Sequence, residues 1–179
     1  MEDSIHKLEM KEMKSHLTAY LFLLFSMLTM TASAQTVTKI SHKRAVKTDV
    51  VTTGTLTIRK PDYICISTDG GKDQLTMDGT KFTMTMGGRQ HVTDSQKSPQ
   101  FATFHMVLKA VINQQDISQG DDMTVTTKGN TTTVTIEPTG KKKRQLFTSF
   151  VLTVNAKTKA LHTLRMNGRG EDYTEYLFK

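Results

Sequence analysis

Between Thr53 and Met86 the chain alternates apolar and polar residues over four short runs, and this period of two restricts the fold more than any other feature. Leu56 and Ile58 share one face of the first run, and Lys60 ends it at the same parity before Pro61. Ile64 and Ile66, then Leu75 and Met77, then Phe82, Met84 and Met86 repeat the pattern. Thr55, Thr57, Arg59, Thr76, Thr83 and Thr85 occupy the opposite face. Threonine suits a wet strand face, because its β-branch packs on the pleat while its hydroxyl stays hydrated. Cys65 lies among these apolar residues and reads as a small buried hydrophobe; as the only cysteine it has no internal disulfide partner.

The same period continues on both sides. Gln35 to Val51 is polar and basic with a few apolar positions, and reads as one frayed or bulged first strand. Turns fall at Lys60-Pro61, Asp69-Gly70-Gly71 and Asp78-Gly79, the last a strong hairpin signal. Gly87-Gly88 closes the pattern, and the following RQHVTDSQK reads as a hydrophilic loop. A helix is expected next: Ser98 stands at an N-cap position, Pro99 at the first helical position, and Phe101, Phe104, Leu108 and Val111–Ile112 recur at helical spacing, ending near Asn113. Strands return at 123–127 and 131–138. A long strand over 145–155 should place Leu146, Phe150, Leu152 and Val154 on one face and Phe147 and Val151 on the other. Leu164 and Met166, then Thr174, Tyr176 and Phe178, form the last inward sets. The expectation is a mainly β (α+β) domain: nine or ten strands in hairpin order, forming a strongly curved antiparallel sheet or half-open β-barrel with one inserted helix as a lid.

The first 34 residues read as a segment apart from that domain. Lys11 and Lys14 precede an apolar run from Leu17 to Met30, and Ala32-Ser33-Ala34 has the small residues of a cleavage site. This is the pattern of a secretory signal peptide, with translation starting at Met1 or Met13, and an uncleaved anchor as the alternative. Residues 35–179 are then expected to form a single domain exported from the cytoplasm. The whole chain carries 24 Lys and Arg against 17 Asp and Glu; without residues 1–34 the net charge is +8. That balance favours anionic membranes or partners, or serves solubility alone.

The residues offer little chemistry. His42, His91, His105 and His162 stand at no metal-ligand spacing, and no nucleophile motif or phosphate-binding glycine loop occurs. No enzymatic activity, cofactor, metal or nucleic-acid partner is expected. The basic tip Lys141 to Arg144 has no interleaved aromatics; it reads either as a soluble hairpin tip or as an electrostatic contact to an anionic surface. Met77, Met84 and Met86 are more informative, since methionine lines surfaces that accept varied apolar ligands, although it also fills ordinary cores. A single helix over so many strands should leave part of the concave face as a groove or cavity.

The strand ending in a basic residue and proline (TGTLTIRKP), then an apolar strand, DQLTMDGTKFTM, a helix, and long strands ending near Gly170-Glu171-Asp172-Tyr173-Thr174 resemble the periplasmic outer-membrane lipoprotein carrier proteins of the LolA-like family over 54–178. The resemblance implies an eleven-strand half-barrel lidded over an apolar cavity. It also implies acyl-chain cargo received from an inner-membrane exporter and passed to an outer-membrane receptor. The family's basic residue before the strand-ending proline holds the lid closed; here that position is Lys60, a lysine where the family has arginine. The family's strand tryptophan corresponds to Ile66.

The cavity wall expected on these grounds comprises Leu56, Ile58, Ile64, Ile66, Met77, Phe82, Met84, Met86, Phe101, Phe104, Leu108, Phe150, Leu152, Leu164, Met166, Tyr176 and Phe178, with Lys60 as latch and Gly87-Gly88 as part of the lid hinge. The functional expectation is a carrier or chaperone for a lipoprotein or another lipidated, amphiphilic cargo. A non-transporting sensor or interaction module on the same half-barrel is the alternative.

Overall fold

The computed structural model describes residues 33–45, 48–137 and 146–179. The segment expected to be a signal peptide, up to residue 32, and the basic tip Lys141–Arg144 lie outside the described residues. Eleven strands form one antiparallel sheet: β1 (Ser33–His42), β2 (Val50–Arg59), β3 (Tyr63–Thr68), β4 (Asp73–Asp78), β5 (Lys81–Met86), β6 (Arg89–Asp94), β7 (Met123–Lys128), β8 (Thr131–Ile136), β9 (Ser149–Asn155), β10 (Leu161–Asn167) and β11 (Tyr173–Phe178). One α-helix, α1 (Pro99–Ile112), stands between β6 and β7.

The spatial order is β6-β5-β4-β3-β2-β1-β11-β10-β9-β8-β7. Two hairpin meanders therefore meet at the β1–β11 seam, where Val37 faces Phe178 and Lys39 faces Tyr176. The sheet does not close on itself: β6 and β7 are its two edges, and α1 is the connection between them. The sheet also curls strongly, because the side chains of Lys39 on β1 and Asp73 on β4 meet although β2 and β3 lie between them.

The period of two in the sequence is the period of burial. Alternate residues of β3, β9 and β11 are buried and half-buried along their whole length. The inward rows form one continuous core, and the threonine face of β2 to β5 points to the convex side. Cys65 belongs to that convex face: it is half-buried rather than buried, and the Thr76 hydroxyl donates to its Sγ at 3.4 Å.

Four features differ from the sequence expectation. Residues 35–51 form parts of two strands, β1 and β2, with a turn between them, and β1 begins at Ser33. The segment after Gly87-Gly88 is the edge strand β6, paired with β5 from Met86–Arg89 to Lys81–Asp94. Its burial never alternates and Val92 is its only aliphatic residue, so it carries no apolar period to read. Gly87 (φ 56°) and Gly88 (φ 74°) form its two-residue hairpin turn, which favours glycine because both positions are left-handed. Gly87-Gly88 therefore does not adjoin the helix, and the segment that enters α1 is Ser95–Ser98. Finally, β9 begins only at Ser149, so strand parity does not reach back to 146 and 147: Phe147 is buried and Leu146 is 45% exposed.

Candidate functional site

The helix lies in the trough because its apolar stripe and the strands' inward rows have no other way to leave water together. Phe101, Phe104, Val107, Leu108, Val111 and Ile112 are all buried on its sheet-facing side. Pro99 opens the helix, while Ser98 holds the N-cap position without a side-chain cap and contributes its carbonyl to the Phe101 N–H at 2.9 Å. Phe82 of β5 meets Phe101 and Phe104 at ring separations of 5.2 and 5.6 Å. Phe150 of β9 stacks on Phe104 at 4.3 Å, with ring planes 8° apart. The helix is thus pinned to both wings of the sheet through aromatic contacts.

Two polar contacts add to this. Thr103 donates to the Asp122 carboxylate at 2.7 and 2.9 Å, tying the first half of α1 to the residue before β7. At the other end, Asn113 Nδ2 donates to the Pro61 carbonyl at 2.7 Å and to the Lys109 carbonyl at 2.8 Å. The β2–β3 turn does hold the helix end, through Asn113. Lys60 beside it is exposed and has no hydrogen bond or ion pair among the described residues.

Of the residues expected to line a cavity, those on the strands face the trough, and Phe101, Phe104 and Leu108 face them from α1. Leu56, Ile64, Ile66, Met77, Phe82, Met84, Phe101, Phe104, Leu108, Phe150, Leu152, Leu164, Met166, Tyr176 and Phe178 are buried, and Ile58 and Met86 are half-buried. Val134 and Ile136 of β8 complete the trough from the far wing. The wall is packed against the helix rather than left bare: Met77, Phe82, Phe104 and Phe150 have 0% exposure. Four phenylalanines, Phe82, Phe101, Phe104 and Phe150, two of them on one face of a fourteen-residue helix, fill the trough more fully than the count of one helix against many strands implies. Baring the six buried helix side chains would cost on the order of 10 kcal/mol, at roughly 1.5–3 kcal/mol each.

Open space lies at one mouth of the trough, where the turns β5–β6 and β10–β11 and the end of β1 gather. A cavity of about 410 Å³ is lined there by Lys39, Asp73, Met86, Phe147, Met166 and Arg169 among others. Lys39 is only 6% exposed and its Nζ is bonded to Asp73 Oδ2. Asp73 Oδ1 accepts the Gly87 N–H at 3.1 Å. Burial pulls the Asp73 carboxyl upward in pKa, but the Lys39 and Gly87 hydrogen bonds and the Lys39 and Lys72 charges outweigh it and hold the group below the usual carboxylate range. Burial, and then the Asp73 charge, raises the Tyr176 hydroxyl well above an ordinary phenol. The alternation rule could have exposed Lys39, since it shares inward parity with Val37 and Ser41; a charge in that phase is the signal. No group of three metal-ligating side chains exists among the described residues, and none of their helices is long and apolar enough to cross a membrane.

Residues 28–179 match the family model described as outer membrane lipoprotein carrier protein LolA. The chain belongs to the LolA family. The LolA match takes in every described element from β1 to β11. No curated protein sequence matches the chain. Among solved structures, a DUF1329 family protein from Desulfovibrio piger is 11% identical with a TM-score of 0.39, covering 88% of each chain. A LolA superfamily protein from Nitrosomonas europaea is 8% identical with a TM-score of 0.32, over 85% of this chain and 86% of that one. The lipoprotein LppX of Mycobacterium tuberculosis is 10% identical with a TM-score of 0.33, over 83% of this chain and 86% of that one.

Proposed function

We propose that the protein is a non-enzymatic carrier that takes up the acyl chains of a lipoprotein, or of another amphiphile, beneath α1. One observation carries this reading: an apolar trough in a sheet that does not close on itself is covered by the helix α1 in a chain of the LolA family. Cargo enters by replacing the helix's contacts. A buried methylene is worth ~0.8 kcal/mol, so one long acyl chain returns about what baring the helix side chains costs. The exchange is therefore nearly balanced, which suits a protein that must also give its cargo up.

In this reading residues 1–34 are a cleaved signal peptide. The domain from residue 35 works as a soluble monomer in the periplasm, between an inner-membrane exporter and an outer-membrane receptor. Cleavage after Ala34 would remove Ser33 and Ala34, the two β1 residues that pair with Ile58 and Thr57, and leave the rest of the β1–β2 ladder intact. Native mass spectrometry of protein purified from the periplasm tests the reading. Bound lipidated species, or uptake of a fluorescent fatty acid by the stripped protein, support it. A protein that is apo as isolated and takes up no chain refutes it.

The near-complete burial of the trough wall favours a second reading, a half-barrel sensor or interaction module with a permanently filled core. That reading requires a stable protein partner that co-purifies in place of lipid.

A further inference from the structure

The concave wall is apolar except for one polar island at its mouth. Lys39 enters it from β1 with its side chain 7% exposed, and Asp73 enters from β4 with 17%. Thr68, paired with Asp73 in the β3–β4 ladder, is 1% exposed, and its Oγ1 has no hydrogen-bond partner among the described residues. Tyr176 faces Lys39 across the β1–β11 seam.

The hydrogen-bond inventory of this island is lopsided. Lys39 has three N–H groups and gives one, to Asp73, and makes no other hydrogen bond among the described residues. Both carboxylate oxygens of Asp73 are engaged, one by Lys39 and one by the Gly87 N–H. The buried Thr68 hydroxyl, on the residue paired with Asp73, is also unpaired among the described residues, although it does not line the cavity. Buried polar groups in folded proteins are nearly always satisfied, so a site with surplus donors lacks an acceptor. Because Asp73 already balances the Lys39 charge, the missing partner need not be a full counter-ion. Lys39 and Asp73 line the 410 Å³ cavity, whose apolar walls, Met86, Phe147 and Met166, lead from the island to the phenylalanine cluster under α1.

We propose that this mouth cavity is a head-group site, in which the acyl oxygens of an amphiphile accept hydrogen bonds from Lys39 while its hydrocarbon chain runs inward beneath α1. The site rests on the carrier reading and sharpens it: the ligand is an acyl compound, seated with its carbonyl end at the β5–β6 and β10–β11 turns. A purely apolar tail satisfies the trough and leaves the island as it is. An ester carbonyl and a free carboxylate share the required chemistry.

Calorimetric titration of the full chain with three twelve-carbon ligands tests the site at constant apolar burial: dodecanoate, monododecanoylglycerol and dodecyltrimethylammonium. Binding of the acyl ligands about tenfold or more tighter than the ammonium, a difference of about 1.4 kcal/mol, is the expected result. A tenfold advantage of dodecanoate over the glyceride identifies the carboxylate as the partner, and near-equality identifies the ester carbonyl. In the Lys39→Met/Asp73→Leu variant, which replaces the ion pair by apolar groups, all three should bind within about twofold of one another. A second measurement needs no variant: the Lys39 side-chain NMR resonances should shift on adding dodecanoate and stay in place on adding dodecyltrimethylammonium. Wild-type protein that binds all three equally, a double variant that keeps the acyl preference, or unmoved Lys39 resonances would overturn the head-group site while leaving the carrier reading standing. Absence of binding by any ligand would overturn both.

Discussion

Lys39 and Asp73 are the residues at which stability and proposed function meet. Substituting Lys39 alone by Met strands the Asp73 carboxylate beside the core. The expected loss is at or just below the about 3–5 kcal/mol typical of a broken buried pair, since Asp73 keeps 17% of its side chain exposed. The Lys39→Met/Asp73→Leu variant should recover most of that loss, and urea denaturation of both proteins checks the pair. Acid supplies a second test. Asp73 has its folded-state pKa below the unfolded value, so its stabilisation is complete above about pH 4 and disappears as the pH falls through the folded value. Wild-type stability should therefore drop on acidification below about pH 4 more steeply than that of the double variant. The exposed carboxylates Asp116 and Asp172, also held low by their partners, remain in both proteins and cancel in the comparison. Equal acid slopes would remove Asp73 from the account. Sequence parity alone could have marked Lys39 as inward, but its partner lies three strands away, and no local pattern encodes that meeting.

At the scale of elements, legibility followed the strength of the apolar period. Strands β2 to β5 could be read because each has apolar residues in phase with burial. Strand β6 could not, because an edge strand with both faces wet has no reason to alternate. The helix was legible from Pro99 and its phenylalanine spacing. What holds its end was not: the family resemblance points to Lys60, whereas the contact in the structure is from Asn113 to the Pro61 carbonyl. Asn113→Ala should cost about 1 kcal/mol and raise amide exchange in the last turn of α1, whereas Lys60→Ala should change neither. A Lys60→Ala effect as large as that of Asn113→Ala would return the latch to Lys60. Phe104→Ala, at the centre of the aromatic cluster, should lower stability by about 3–5 kcal/mol and leave a hole in the trough. A short alkyl ligand should then raise the melting temperature of this variant more than that of the wild type, because the hole is apolar and pre-formed. A smaller rise would place the alkyl site elsewhere.

On the scale of the whole molecule, the curved antiparallel sheet with an inserted helix was readable from alternation and turn signals. The degree to which the helix fills the trough was not, because filling depends on side chains from two wings that are distant in sequence, Phe82 and Phe150, meeting the same Phe104. That filled state shapes the account of function. The trough is filled by the helix rather than left as an empty cup, and under the proposed function its apolar contacts are exchanged for a cargo's. The central claim is that acyl chains occupy the space between α1 and the concave face. Photo-crosslinking with an acylglycerol that carries a diazirine midway along its chain tests it most directly, with the modified peptides mapped by mass spectrometry. Labels are expected on α1 and on the inward residues of β5 and β9, around Phe82, Phe104 and Phe150. Labels confined to the convex threonine face or to the edges β6 and β7, with α1 unmodified, would contradict it.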